Sequence, residues 1–157
     1  MDTIQNAKCY DNGDSIRLTF DWPPGFTQVF INDKLFTLQE YKKQGGFFCK
    51  KHFGENIFNI DGCTVTFIEK AIITCCITPK RGLGYSPKYS SYELTFDANY
   101  IVEKETVHYI CGRMTYKLGE KITPGQLKKY IIRTEKDEEP NVFVEDTKKY
   151  EINILRG

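Results

Sequence analysis

Residues 15–22 alternate without a fault. Ile16, Leu18, Phe20 and Trp22 fall on one side of an extended chain, with Arg17, Thr19 and Asp21 on the other. Successive side chains of a strand point to opposite faces, so this pattern specifies a half-buried antiparallel strand. The turn before it, around Asn12-Gly13, is the strongest short hairpin signal, and it predicts pairing with residues 3–9. Pro23 and Pro24 then end the run, because proline cannot donate to a ladder.

The same logic extends along the chain. Strands are predicted at 26–32, 35–38, 46–51, 56–60, 63–69 and 71–78, with Asp61-Gly62 as a second tight turn. Further strands are predicted at 91–97, 99–103, 106–111, 113–118, 127–134, 141–145 and 148–155. Composition agrees. Of 157 residues, 36 are β-branched, 22 are aromatic and only three are alanine. β-Branched and aromatic side chains lose freedom in a helix but pack well on a pleated surface. No full helix is expected; only 39–44 and 124–129 could hold a helical turn.

Residues 78–91, TPKRGLGYSPKYSS, break the periodicity with prolines, glycines and basic residues. A composition break in the middle of an all-β chain is a natural domain boundary. The expected organisation is a β-sandwich over 1–79, a linker over 80–91 and a second sandwich-like domain over 92–157. Short strands separated by regular turn signals are the pattern of such sandwiches.

The first half resembles a fibronectin type III or related immunoglobulin-like domain. The carrying residues are Ser15, Ile16, Arg17, Leu18, Thr19, Phe20, Asp21, Trp22 and Pro23, followed by Val29, Phe30 and Ile31. In that family the second strand alternates apolar residues and ends near a core tryptophan and a proline. The resemblance implies a spacer or binding module, while fold alone does not fix function.

Charge narrows the partner classes. Lys and Arg total 22 against 21 Asp and Glu, a formal net charge of +1. Such balance supplies no field for nucleic acid or an anionic membrane. No apolar run approaches the roughly 20 residues of a membrane helix. Residues 1–14 lack a basic segment followed by an apolar one, so the expectation is no secretory signal and a cytoplasmic location, or else a piece of an exported protein. Six cysteines in a chain this long read as mostly buried free thiols. Seventeen lysines against five arginines fit an AT-rich coding sequence and a bacterial source.

Chemistry-bearing groups are few. Cys49 and His52 could form a nucleophile pair, but positions three apart on a strand face opposite sides. Cys75-Cys76 should place one thiol inward and one outward. With two histidines in the chain, a zinc site would need dispersed ligands, and no metal or other cofactor is expected. Glu135, Asp137, Glu138 and Glu139 read as a solvated loop, with weak calcium binding as the sharper alternative. Trp22 is core by its phase, or else an exposed platform. Tyr85, Tyr89 and Tyr92, with Arg81, Lys88 and Lys80, could form a recognition patch of aromatic and basic groups. Phosphate-loop, nucleophile-elbow and metalloprotease motifs are absent from the sequence.

The sequence therefore points to a non-catalytic interaction or scaffold module. Its expected partner is a protein that contacts an inter-domain groove or adds a strand to an exposed edge. A carbohydrate-binding module using Trp22, Tyr85, Tyr89 and Tyr92 is the alternative, and a cysteine enzyme using Cys49 or Cys76 is the third.

Overall fold

The computed structural model describes residues 4–80 and 89–157. They form fourteen strands and one short helix, so the all-β expectation holds. Two compact units divide the chain, Met1–Glu69 and Lys70–Gly157.

The first unit holds β1 (Gln5–Asp11), β2 (Ser15–Asp21), β3 (Gln28–Ile31), β4 (Lys34–Thr37), α1 (Leu38–Gln44), β5 (Phe47–Lys50), β6 (Gly54–Ile60) and β7 (Cys63–Glu69). They build two antiparallel sheets, of order β1-β2-β5 and β4-β3-β6-β7. The alternation read in residues 15–22 is the reason they share a core. Ile16, Leu18 and Phe20 from one sheet cluster with Val29, Ile31, Phe36, Phe58 and Ile60 from the other. Each such fully buried side chain contributes about 1.5–3 kcal/mol by leaving water. At Asp61-Gly62 both residues take positive φ, 45° and 90°, as a tight hairpin between β6 and β7 requires.

Helix α1 covers 39–44, where the sequence allowed a helical turn, and its seven residues exceed the single turn expected. Thr37 accepts from the Glu40 N–H, and the Glu40 carboxylate accepts from the Thr37 N–H. This reciprocal cap offsets the cost of starting so short a helix. Gly45, at φ 76°, closes it in the left-handed conformation. The helix delivers Tyr41, whose hydroxyl donates to Phe20 O at 2.9 Å and accepts from Phe20 N at 3.3 Å. Its ring lies edge-on to Phe20 and Trp22. Near the other end, Lys51 Nζ bridges Glu69 at 2.8 Å and Asp11 at 3.0 Å, tying the ends of β7 and β1 to the residue after β5.

The second unit holds β8 (Ala71–Lys80), β9 (Tyr89–Ala98), β10 (Val107–Cys111), β11 (Met114–Lys117), β12 (Lys128–Glu135), β13 (Asn141–Val144) and β14 (Tyr150–Arg156). Its sheets have the orders β12-β9-β8-β14 and β11-β10-β13. All pairs are antiparallel except β14 with β8, which run parallel with Ile152 beside Ile73. Ala71, Ile73, Cys75 and Ile77 alternate inward on β8, as do Tyr92, Leu94 and Phe96 on β9. Buried Thr134 donates its hydroxyl to Glu138 O at 2.6 Å, and the Asp137 N–H donates to Ser90 Oγ. The acidic loop is thus a braced turn.

Two boundaries differ from expectation. The break at 78–91 does not separate the units: β8 and β9 flank it and pair in one sheet, with Lys80 opposite Ser91. The division falls at Glu69 and Lys70, where one residue joins two strands and composition does not change. Residues 99–103 form no strand, only a single bridge from Val102 to Ile122, and Gln126 and Lys128 belong to bridge and strand, leaving no helical turn at 124–129.

Candidate interaction surface

The tyrosines and Trp22 scatter. Trp22 is half-buried, packs against the first unit's core, stacks on Phe20 and donates its indole N–H to Phe26 O at 2.7 Å. It is a core residue with a satisfied polar tip. Tyr92 faces inward with Leu94 and Phe96 and is 8% exposed, which corrects its place in an exposed platform. Tyr89, three positions away on the same strand, faces the other side and is exposed. Strand parity separates the two rings. Tyr85, Arg81 and Lys88 lie outside the described residues.

The thiols divide the same way. Cys75 is buried, and desolvation first, then neighbouring Cys76, pushes its pKa up to about 12. Such a thiol is a poor nucleophile. Cys76, on the opposite face of β8, is half-buried. Cys49 donates to Lys50 O, while His52 Nδ1 pairs with Phe53 O, so the two do not engage each other.

Two edge strands of the second unit, β12 and β11, each carry exposed apolar and cationic side chains. On β12, Ile132 and Thr134 face inward and Ile131 faces out, 69% exposed. Its cations are engaged. Lys129 Nζ lies 3.0 Å from Glu93, which Lys80 contacts at 2.8 Å from its other side. These two hydrogen bonds, from Lys80 first and then Lys129, hold the Glu93 carboxyl below its ordinary range. Lys128 lies 3.6 Å from Glu120, and the Arg133 guanidinium covers the Tyr89 ring at 5.6 Å. Of the predicted aromatic and basic patch, Tyr89 and Lys80 lie on the outer face of this sheet, with Arg133 and Lys129 beside them.

Strand β11 is different. Among the described residues it pairs only with β10, and all four of its residues are exposed. A two-residue turn, Gly112-Arg113, joins the strands, with Gly112 at φ 63°. Cys111 opposite Met114 closes the hairpin, and Leu118 N donates to Val107 O. Hydrogen-bonded pairs alternate in an antiparallel ladder, so the N–H and C=O groups of Thr115 and Lys117 point away from β10, along the open edge.

Burial fades along one face of this strand. Leu118 is 2% exposed, Tyr116 43% and Met114 59%. Tyr116 stacks on Tyr109 of β10, with ring centroids 5.3 Å apart and an interplanar angle of 20°. Partial burial, then Cys111 and Tyr116, raise the Tyr109 pKa, so the ring is a neutral phenol. The hairpin thus carries its apolar face beyond the buried part of the sheet. Residue types alone did not reveal this site, because period two in 113–118 predicts the strand but not where the covering layer stops.

No group of three or more His, Cys, Asp or Glu side chains among the described residues is placed to hold a metal ion. No helix among them is long and apolar enough to cross a membrane. Comparison with known proteins finds no matching family model, curated protein or solved structure.

Proposed function

We propose that this chain is a non-catalytic protein-interaction module of two small β-sandwiches, the first fibronectin type III-like, and that its second unit recruits an extended partner segment by strand addition to β11. Support for the first part is the strand order. Three strands, β1-β2-β5, and four, β4-β3-β6-β7, contribute to a single core, with Trp22 and Pro23 after β2. Two antiparallel sheets over one core are what an immunoglobulin-like reading expects, and so support it.

The observation that carries the functional part is the open edge of β11. Its backbone groups at Thr115 and Lys117 face outward, and its side chains leave both faces uncovered. An exposed edge is a template for main-chain pairing, and natural proteins usually cover or bend it. Strand addition draws affinity from the backbone and specificity from alternate side chains.

Selection of a displayed peptide library against the intact chain tests this. Enriched peptides should bind at least tenfold more weakly to Thr115→Pro, which removes an edge donor where proline is tolerated. Failure to enrich any peptide, or enrichment indifferent to that substitution, would overturn the proposal.

A further inference from the structure

We infer that the segment received by β11 alternates acidic with apolar residues. This deepens the strand-addition reading and rests on it. The two faces of β11 differ in chemistry. Met114 and Tyr116 occupy one face, continued by Tyr109 and Cys111 on β10. Thr115 and Lys117 occupy the other, and Arg113 stands in the turn at the strand's start.

An added strand must match this alternation, because side chains of paired residues share a face. Residues beside Met114 and Tyr116 meet an unbranched thioether and an aromatic stack. Both accept apolar side chains of varied shape. Residues beside Thr115 and Lys117 meet a hydroxyl and an ammonium, with the Arg113 guanidinium at the turn.

Those cations are uncommitted. Neither Arg113 nor Lys117 makes an ion pair or a side-chain hydrogen bond among the described residues. On β12, by contrast, Lys128, Lys129 and Arg133 all have partners. A second copy of the chain pairing through β11 would bring two Arg113 and two Lys117 side chains together. Like charges across a ladder are destabilising, so the same residues that attract an acidic strand repel a copy of their own. The occupant is therefore a different segment, carrying carboxylates on the Lys117 side and apolar groups on the Met114 side.

The test uses the whole chain and two synthetic peptides read by fluorescence anisotropy, one alternating glutamate with valine and the other lysine with valine. The acidic peptide should bind at least tenfold more tightly. Rising salt should weaken that binding, and Lys117→Glu or Arg113→Glu should shrink or reverse the preference. Both substitutions lie on exposed positions, and an unchanged unfolding midpoint confirms that the variants fold. Equal binding of the two peptides, or a preference untouched by charge reversal, would overturn the inference. Strand-adding library peptides without acidic residues would sink it while leaving the interaction module intact. Failure of every peptide, of any composition, would remove both.

Discussion

Strands β12 and β11 are both edges of sheets in the same unit, and both carry cations, yet they are finished in opposite ways. β12 spends its charges on its own neighbours: Lys129 and Lys80 neutralise Glu93, Lys128 meets Glu120 and Arg133 covers Tyr89. It also sends Ile132 and Thr134 inward as anchors. β11 has no buried residue and no engaged cation among the described residues. An edge closed by internal pairs is part of the scaffold. An edge with one free cation on its strand, another in its turn and an uncovered apolar face has its complement elsewhere.

Substitutions can widen or erase that difference. The largest effect belongs to the anchored edge. Ile132→Ala should cost about 2–4 kcal/mol, the usual loss for truncating a buried aliphatic side chain, read as a fall in the denaturant midpoint. Next comes the turn that shapes the open edge. Gly112→Ala forces a side chain into positive φ and should cost roughly 1–2 kcal/mol, with weaker peptide binding at β11.

Glu93→Gln should act through pH. The folded carboxyl is depressed below its ordinary value of 4.5, so its contribution is fully present above that value. It is lost as pH falls from 4.5 through the folded value. Wild type should therefore lose stability on acidification through that window, and the variant should show a flatter profile in thermal melts. The smallest effect belongs to the open edge itself. Met114→Ala should change stability by no more than about 0.5 kcal/mol while weakening the apolar half of peptide binding. A large destabilisation there would mean that β11 is as anchored as β12.

The legible part of the fold was local. Alternation at Ile16, Leu18 and Phe20 located a strand and named its buried face. Asp61-Gly62 located a hairpin because the turn chemistry is carried by two adjacent residues. Helix α1 was legible too, since Thr37, Glu40 and Gly45 spell its caps, but β-rich composition outweighed them. The parity rule that separated Cys49 from His52 also separates Tyr89 from Tyr92, and applying it would have removed Tyr92 from the surface patch. The rest was not local. The parallel pairing of β14 with β8 joins residues distant in sequence, and the division after Glu69 carries no turn-rich or charged signal. The open edge was hidden for the same reason. Met114 and Tyr116 look like core residues of a period-two strand, and only the extent of the opposing layer leaves them exposed.

Amide hydrogen exchange at Thr115 and Lys117 tests the central claim most directly. In the free chain both amides should exchange quickly, because they face an unpaired edge, while Leu118, bonded to Val107 O, stays protected. Adding the peptide that alternates glutamate with valine should slow exchange at Thr115 and Lys117 at least tenfold and leave β12 unchanged. Protection already present in the free chain, or exchange at these two amides that the peptide does not alter, would contradict the account.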